Sequence, residues 1–296
     1  MIRWMRLSWL YFFLSALVII PGMVSLLMFG LWPSIDFIGG SLLEYRLAQE
    51  INPQDLSSFL KEKGFEVYSI QDSGEKTYLL RMPALTKEKG TEIKNLLAEK
   101  TSGEPQEIRF EVVGPTLGRE LLVKTIVAII LGALFILGYV AWRFKNVKFG
   151  VCAILAMFHD SLVMLGSFSL LGHFFGVEVD TLFVTALLTV LSFSVHDTVV
   201  VYDRIRESQK IFAKTPFETL ADKAVTETLS RSLNNSLTII FMLLALLLLG
   251  GTTVKWFVAA LLIGTVSGTY SSTFNAVPLL VLWDKISQRK KDRRKI

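Results

Sequence analysis

The stretch SFSVHDTVVVYDRIRE, residues Ser192–Glu207, combines an apolar run with ionisable side chains. Its first part is apolar enough to lie within a membrane, yet it contains His196 and Asp197 and ends in the charged run Asp203–Glu207. A carboxylate in the hydrocarbon of a bilayer is costly, and such groups usually face other helices or a water-filled path. The stretch therefore predicts a membrane-spanning helix that carries a functional acid.

The rest of the chain supports a membrane protein. Hydrophobic residues make up 52% of the 296 residues and charged residues only 19%, and the apolar residues form long blocks. A bilayer core of about 30 Å requires about 20 apolar residues in a helix. The first block is too long for a signal peptide and no small-x-small cleavage site follows it, so we interpret it as a retained anchor. The fold class that we expect is a polytopic α-helical membrane protein with six transmembrane helices, at residues 9–31, 121–142, 148–171, 181–202, 233–254 and 256–283.

The distribution of Lys and Arg predicts the orientation. Basic residues cluster between the second and third spans, between the fourth and fifth, and in the tail 284–296, whereas the connection GHFFGVEVD has none and the fifth-to-sixth connection has only Lys255. Because cytoplasmic connections carry an excess of Lys and Arg, both termini are expected on the cytoplasmic side of the membrane. The basic tail is expected to lie on anionic lipid rather than to bind nucleic acid.

Residues 33–118 form the one large region between spans, and they are expected on the extracytoplasmic side. Alternating and helical patterns follow one another there in the order β-α-β-β-α-β, which is the ferredoxin-like arrangement. The region contains no His, no Cys and no glycine-rich phosphate loop, so a binding or spacer role is expected. The predicted domains are 1–32 with the first helix, 33–118, 119–283 with helices two to six, and the tail 284–296.

Two further spans contain ionisable residues. The third has His159 and Asp160 near its centre, and the fifth has Arg231 close to its start. A carboxylate facing an arginine stays ionised, whereas one in apolar surroundings keeps its proton at neutral pH. A carboxylate that moves between those settings binds and releases a proton. The candidate proton-relay residues are therefore Asp197, Arg231, Asp160, His196 and His159.

Each candidate also has a structural interpretation. The two aspartates can be hydrogen-bonded for packing alone, the two histidines can be buried hydrogen-bonded side chains, and Arg231 can extend to the interface. The run DRIRE predicts salt bridges on one helix face, such as Asp203 with Arg206. His173 is expected at the interface. Gly264 and Gly268 have the spacing that permits close helix packing, a pattern that is also frequent by chance.

Other chemistries have little support in the sequence. The histidines do not have metal-ligand spacing, and the chain contains no HExxH, GxSxG or phosphate-binding loop motif. The single cysteine, Cys152, permits no internal disulfide. We therefore expect a protein that is not an enzyme and that has no metal or cofactor.

Four motifs resemble the SecF proteins of the SecD/SecF family of protein-export membrane proteins. They are HDTVVVYDRIRE in the fourth span, IDFIGG (residues 35–40), VVGPTLGRELL (112–122) and FHDSLVMLG (158–166). Their order along the chain also matches that family. Two positions depart from its pattern, since Ile38 stands where Thr is common and His196 where Asn is frequent.

The resemblance implies a fold of the resistance–nodulation–division superfamily and a SecD partner with a larger outer domain. It implies that the pair assists the SecYEG channel in exporting unfolded proteins with energy from the proton gradient, with SecA and YajC in the wider machinery. It also implies proton passage at the positions of Asp197 and Arg231. Two other functions remain open, namely a proton-coupled small-molecule transporter of the same fold and a non-conducting scaffold subunit.

Overall fold

The structure, a computed structural model, describes residues 2–144 and 146–293, except for the side chains of residues 252, 253 and 290–293. Three basic residues used to predict the orientation, Lys145, Arg294 and Lys295, lie outside the described residues. In chain order the elements are a 3-10 helix Trp4–Leu7, α1 Ser8–Phe29, α2 Ile35–Ile38, β1 Gly40–Arg46, α3 Pro53–Glu62, β2 Ser69–Asp72, β3 Thr77–Met82, α4 Lys87–Thr101, β4 Gln106–Val113, α5 Pro115–Arg143, α6 Val147–Phe175, α7 Thr181–Ile211, α8 Phe217–Leu249, α9 Thr252–Phe274 and α10 Ala276–Arg293.

The prediction of six membrane-spanning segments is confirmed. Within the described residues, six helical segments are long and apolar enough to cross a bilayer, with the last formed by α9 and α10 together. Several helices are longer than the predicted spans; among them, α7 continues to Ile211 and α8 begins at Phe217. Hydropathy falls in these extensions, but their Ala, Glu, Lys and Arg residues are good helix formers, and Ile205 and Ala224 are buried there.

The sixth segment is interrupted at Asn275, between α9 and α10. Pro278 lacks the amide that would donate to the carbonyl of Phe274, and its ring crowds that carbonyl. The interruption brings a polar side chain into the helix packing, where Asn275 Nδ2 donates to Ser15 Oγ of α1 at 2.9 Å.

The chain divides into two compact units. We call residues 1–31, 129–177 and 182–296 the helical unit, and residues 32–128 and 178–181 the sheet unit. Glycines permit close contacts in the helical unit: a Cβ on Gly166 would lie 2.6 Å from Gly22 Cα, and one on Gly264 would lie 2.2 Å from Val190 Cγ2. Gly268 packs against Ser194. The Gly264–Gly268 pattern is thus a packing contact of α9 with α7.

The sheet unit contains the strands. Its described residues form a four-stranded antiparallel sheet in the order β2-β3-β1-β4. Asn52 and Thr86 cap α3 and α4 through hydrogen bonds from Gln54 N and Lys89 N. Strands and helices share an apolar core of fully or nearly fully buried side chains that includes Leu43, Tyr45, Leu80, Met82, Leu56, Leu60, Ile93 and Leu97.

The two glycine-containing motifs of the sheet unit meet. Gly39 has a φ of +77°, and a Cβ there would lie 2.8 Å from Pro115 Cα. A Cβ on Gly118 would lie 2.9 Å from Gly39 N. The backbone that follows α2 therefore packs directly on the first turn of α5, and this explains why IDFIGG and VVGPTLGRELL carry glycine at these positions.

Candidate functional site

Asp160 is fully buried in the helical unit, where three serine hydroxyls donate to its carboxylate. Ser194 Oγ of α7 lies 2.5 Å from Oδ2, and Ser271 Oγ of α9 lies 2.6 Å from the same oxygen. Ser267 Oγ, also of α9, lies 2.6 Å from Oδ1. Hydrogen bonds to an ionised acceptor are short and strong, so this arrangement compensates a carboxylate that has been removed from solvent.

The sequence places these serines where they can converge. Ser267 and Ser271 are four residues apart and so lie on one face of α9. Between them Gly268 has no side chain, and a Cβ there would be 3.8 Å from Asp160 Oδ2. The small residue lets α9 approach α7 closely enough for hydroxyls from both helices to reach one carboxylate.

His159 extends this buried centre. Its Nδ1 lies 3.0 Å from Asp160 Oδ1, and its side chain is 12% exposed. Its Nε2 is buried and has no hydrogen-bond partner among the described residues. When the hydrogen of the neutral ring is on Nδ1 and is donated to Asp160, Nε2 carries a lone pair that can accept a hydrogen bond.

Asp197 lies one turn beyond Ser194 on α7 and is only half-buried. It accepts a hydrogen bond from Ser232 Oγ of α8 at 3.1 Å. The two membrane carboxylates are therefore linked through neighbouring turns of a single helix. A displacement of α7 would change the surroundings of both.

The remaining two candidates, His196 and Arg231, lie on the surface of the helical unit. Both side chains are exposed. Arg231 directly precedes Ser232, but it forms no ion pair with Asp197 in this structure, where the carboxylate is bonded to the serine instead. The five predicted site residues thus form two groups, a buried pair of Asp160 with His159 and a surface group of Asp197, His196 and Arg231.

One more pair of hydroxyl side chains connects α8 with α9. Ser236 lies one turn after Ser232 on α8, and it shares a hydrogen bond of 2.7 Å with Thr269 Oγ1 of α9. Sequence reasoning did not identify the serines at 194, 232, 267 and 271, because serine is common in membrane helices. The i, i+4 spacing of Ser267 and Ser271 in an otherwise apolar helix was the available signal.

The charged run at the end of α7 forms salt bridges, as predicted. Asp203 pairs with Arg206 at 3.3 Å and also with Arg143 at the end of α5. Arg204 pairs with Glu207 at 2.6 Å and with Glu227 of α8 at 2.5 Å. These pairs join α7 to α5 and to α8, so this cluster has a structural role.

His173 lies apart from both carboxylate groups. It occupies the last turn of α6 and is exposed. Its ring stacks on Phe29 with the ring centroids 3.7 Å apart. Nothing in its surroundings adds it to the relay residues.

Comparisons with known proteins agree with the architecture. Residues 92–286 match the family model of the protein export membrane protein SecD/SecF, C-terminal region. The chain is 46% identical to the protein translocase subunit SecF of Thermobaculum terrenum, over 96% of this chain and 94% of that protein. It is 40% identical to the subunit of the same name from Anaerolinea thermophila, over 93% of this chain and 92% of that protein.

A solved structure has the same fold. The crystal structure of SecDF, a translocon-associated membrane protein from Thermus thermophilus, matches 95% of this chain with a TM-score of 0.85 and 34% sequence identity. The matched part is 38% of the SecDF chain, so this chain spans little more than a third of that longer protein. By the extent of the family match and the identity with full-length relatives, the chain belongs to the SecD/SecF family of protein-export membrane proteins.

Proposed function

We propose that this chain is the SecF-type subunit of the Sec export machinery of the bacterial inner membrane, and that it promotes passage of unfolded proteins through SecYEG. The similarity to translocase subunits named SecF over more than nine-tenths of the chain carries this proposal. The SecDF relative contains the matched region within one longer chain, which supports a SecD-type protein as the direct partner. SecA and YajC belong to the same expected machinery.

The surface group supplies a physical reason for that partner. Asp197, His196 and Arg231 lie at the surface of spanning helices, and Asn234 and Asn235 are exposed next to them. Polar and ionisable groups are costly against lipid and usually face another helix or water. We infer that the spans of the SecD-type partner cover this face and complete the proton path.

The proposed energy source is the proton gradient, and Asp197 is the group that takes up the proton. In the present arrangement Asp197 is bonded to Ser232, next to Arg231. When α7 and α8 shift, Asp197 gains or loses the arginine as its neighbour, and its affinity for a proton changes. Asp160 and His159 form the inner group that responds to the same movement, and His196 lies beside the entry to Asp197.

The energy available from one proton limits the mechanism. One charge that crosses a potential of 100 mV releases about 2.3 kcal/mol. That energy shifts a two-state equilibrium about fiftyfold. A single proton therefore biases a movement of the helices, and a large stroke requires several protons per cycle.

The proposed topology assigns each part of the chain to one side of the membrane or to its interior. Both termini and the tail 284–296 are cytoplasmic, residues 1–32 contain the first helix, and residues 119–283 contain helices two to six. The extracytoplasmic part is residues 33–118, with a ferredoxin-like arrangement supported by the sheet order β2-β3-β1-β4. There the sheet unit can contact the emerging chain and oppose its backsliding.

The test is export in membrane vesicles that contain this chain, its SecD-type partner and SecYEG. Asp197→Asn should remove the increase in export that an imposed proton gradient causes, because the amide cannot exchange a proton. Glu207→Gln is the control, since Glu207 is an exposed residue of the salt-bridge cluster on the same helix. If Asp197→Asn leaves the gradient dependence intact, the chain is a scaffold. Intact export with loss of small-molecule efflux would favour the transporter.

A further inference from the structure

Residues Glu178–Thr181, between α6 and α7, belong to the sheet unit although they connect two membrane helices. Val179 forms a parallel bridge with Pro33. Ser34 N donates to Val179 O at 2.9 Å, and Val179 N donates to Trp32 O at 2.7 Å. The connection is therefore held by backbone hydrogen bonds on both sides of one residue, as in a short strand.

A buried ion pair adds a second attachment. Arg81 Nε of β3 lies 2.5 Å from Glu178 Oε1, and the two side chains are only 9% and 14% exposed. The guanidinium is also oriented by β2, where it donates to Ser69 Oγ at 3.1 Å and to Gln71 Oε1 at 3.4 Å. The removal of one member of such a pair leaves the other as an uncompensated buried charge.

The third attachment is at the first residue of α7. Asp36 Oδ2 accepts from Thr181 N at 3.1 Å and from Thr181 Oγ1 at 2.9 Å. A carboxylate at this position accepts from an amide of the first turn and interacts favourably with the positive end of the helix dipole. Asp36 is itself fixed, because its own amide donates to Ser34 Oγ at 3.2 Å in the cap of α2.

From this geometry we propose that residues Glu178–Thr181 act as a strap that fastens the first turn of α7 to the sheet unit, so that a movement of α7 pulls on the sheet unit. α7 runs as one continuous helix from Thr181 past Ser194 and Asp197. Arg81, Glu178 and Asp36 are the positioning residues of the strap. The proposal rests on the proposed function, because it assigns the route by which a change at Asp197 reaches the extracytoplasmic side.

The surroundings of Glu178 make the strap sensitive to protons. Burial raises the pKa of its carboxyl to about 7, the negative charges of Asp180 and Asp36 act in the same direction, and Arg81 opposes them. A released Glu178 would have an ordinary pKa of about 4.3. The fastened state thus binds the proton more tightly, so acid on the extracytoplasmic side favours it.

The test separates fastening from proton passage in vesicles that contain the complete complex. Arg81→Glu and Glu178→Arg each place like charges together, and the double exchange restores an opposite pair. Each single variant should still admit protons on an imposed gradient but should lose about fivefold or more of the gradient-dependent export. The double exchange should recover export. Arg46→Glu is the control, because Arg46 pairs with Glu75 in an exposed position of the same unit.

Glu178→Ala is a milder variant for the case that a single exchange prevents folding, because it removes the contact with Arg81 in both protonation states of the carboxyl, and it should show the same separation at a smaller loss. Wild-type export in Glu178→Ala and in the folded single variants would overturn the strap. A loss of proton passage in step with export would also overturn it, since that is the result of a merely structural defect. Loss of both activities in Asp197→Asn alone supports the proposed function whatever the strap variants do.

Discussion

Ser194 Oγ of α7 lies 2.5 Å from Asp160 Oδ2 of α6, in a part of the helical unit where Asp160 is fully buried. Asp197, the other membrane carboxylate, follows on the next turn of the same α7 helix. The packing of α7 therefore connects an inner, hydroxyl-lined acid with an outer acid on the surface of the unit. We therefore expect changes at the inner acid to affect stability and changes at the outer acid to affect proton uptake.

Removal of one serine hydroxyl from Asp160 should destabilise the protein. Ser271→Ala leaves the carboxylate without one of its donors, and a hydrogen bond to a charged group contributes about 1.5–3 kcal/mol. We expect a clear decrease in the thermal unfolding temperature measured in detergent. Ser161→Ala is the control on α6, because the Ser161 hydroxyl donates to Met157 O of its own helix. Equal unfolding temperatures for the two variants would contradict this account of the Asp160 centre.

The contact of α9 with α7 should be sensitive to a single methyl group. In Gly264→Ala the new Cβ would meet Val190 Cγ2 at 2.2 Å, and overpacking of this kind costs about 1–3 kcal/mol. The double variant with Val190→Ala should recover most of the lost stability, as measured by thermal unfolding of the purified protein. Gly138→Ala serves as the control, since a Cβ there meets nothing within 4 Å. Failure of Val190→Ala to rescue Gly264→Ala would contradict a direct contact between Gly264 and Val190.

The attachment of the 178–181 segment should depend on pH, with its direction set by Glu178. Its pKa is raised to about 7 in the fastened state. That state consequently holds more protons than a released one between about pH 4.3 and 7. The contribution of Glu178 protonation to the stability of the fastened state is fully present below that window, and it is lost as the pH rises through 7. Hydrogen exchange, corrected for its intrinsic pH dependence, should therefore show greater protection of the Val179 amide at pH 5 than at pH 8.

Glu178→Gln should make that protection independent of pH, because the amide does not titrate. Arg81, Asp36 and Asp180 remain in this variant, so a pH dependence that survives would originate from them. Such a result would contradict the assignment to Glu178.

The surface group should lie against the partner. A cysteine at Asn234, next to the exposed Arg231, should form cross-links with the SecD-type protein in membranes labelled with a short reagent that is thiol-reactive at one end and photoactivatable at the other. A cysteine at Leu249, which is 88% exposed at the end of the same helix, tests whether proximity is specific to the polar face. Cross-linking at Leu249 but not at Asn234 would contradict the proposed covering of that face.

Hydropathy and strand alternation were sufficient to predict the six spans and the order of the four strands with α3 and α4, whereas the short helix α2 was not predicted. Length and apolar content decide whether a segment can cross a bilayer, and both can be read locally. The ends of α7 and α8 were predicted less well, because charged residues with good helix propensity continue a helix beyond the apolar run. The break at Asn275 was not predicted, although Pro278 provides its physical reason.

The candidate acids were identified from their cost in a membrane, which is a property of the residue and its position in a span. Their partners were not identified, since Ser194, Ser267 and Ser271 come from two helices that are distant in sequence from Asp160. The pairing of Arg81 with Glu178 was missed for the same reason. A pairing of Arg231 with Asp197 depends on a helix contact that no local pattern specifies, and in this structure Ser232 donates to Asp197 instead.

The central claim is that Asp197 takes up and releases a proton during export. The most direct measurement is infrared difference spectroscopy of the complete complex in vesicles, before and after a proton gradient is imposed during translocation. We predict a carbonyl stretch of a newly protonated carboxyl group that is present in the wild type and in Glu207→Gln and absent in Asp197→Asn. A band of unchanged intensity in Asp197→Asn would contradict the claim.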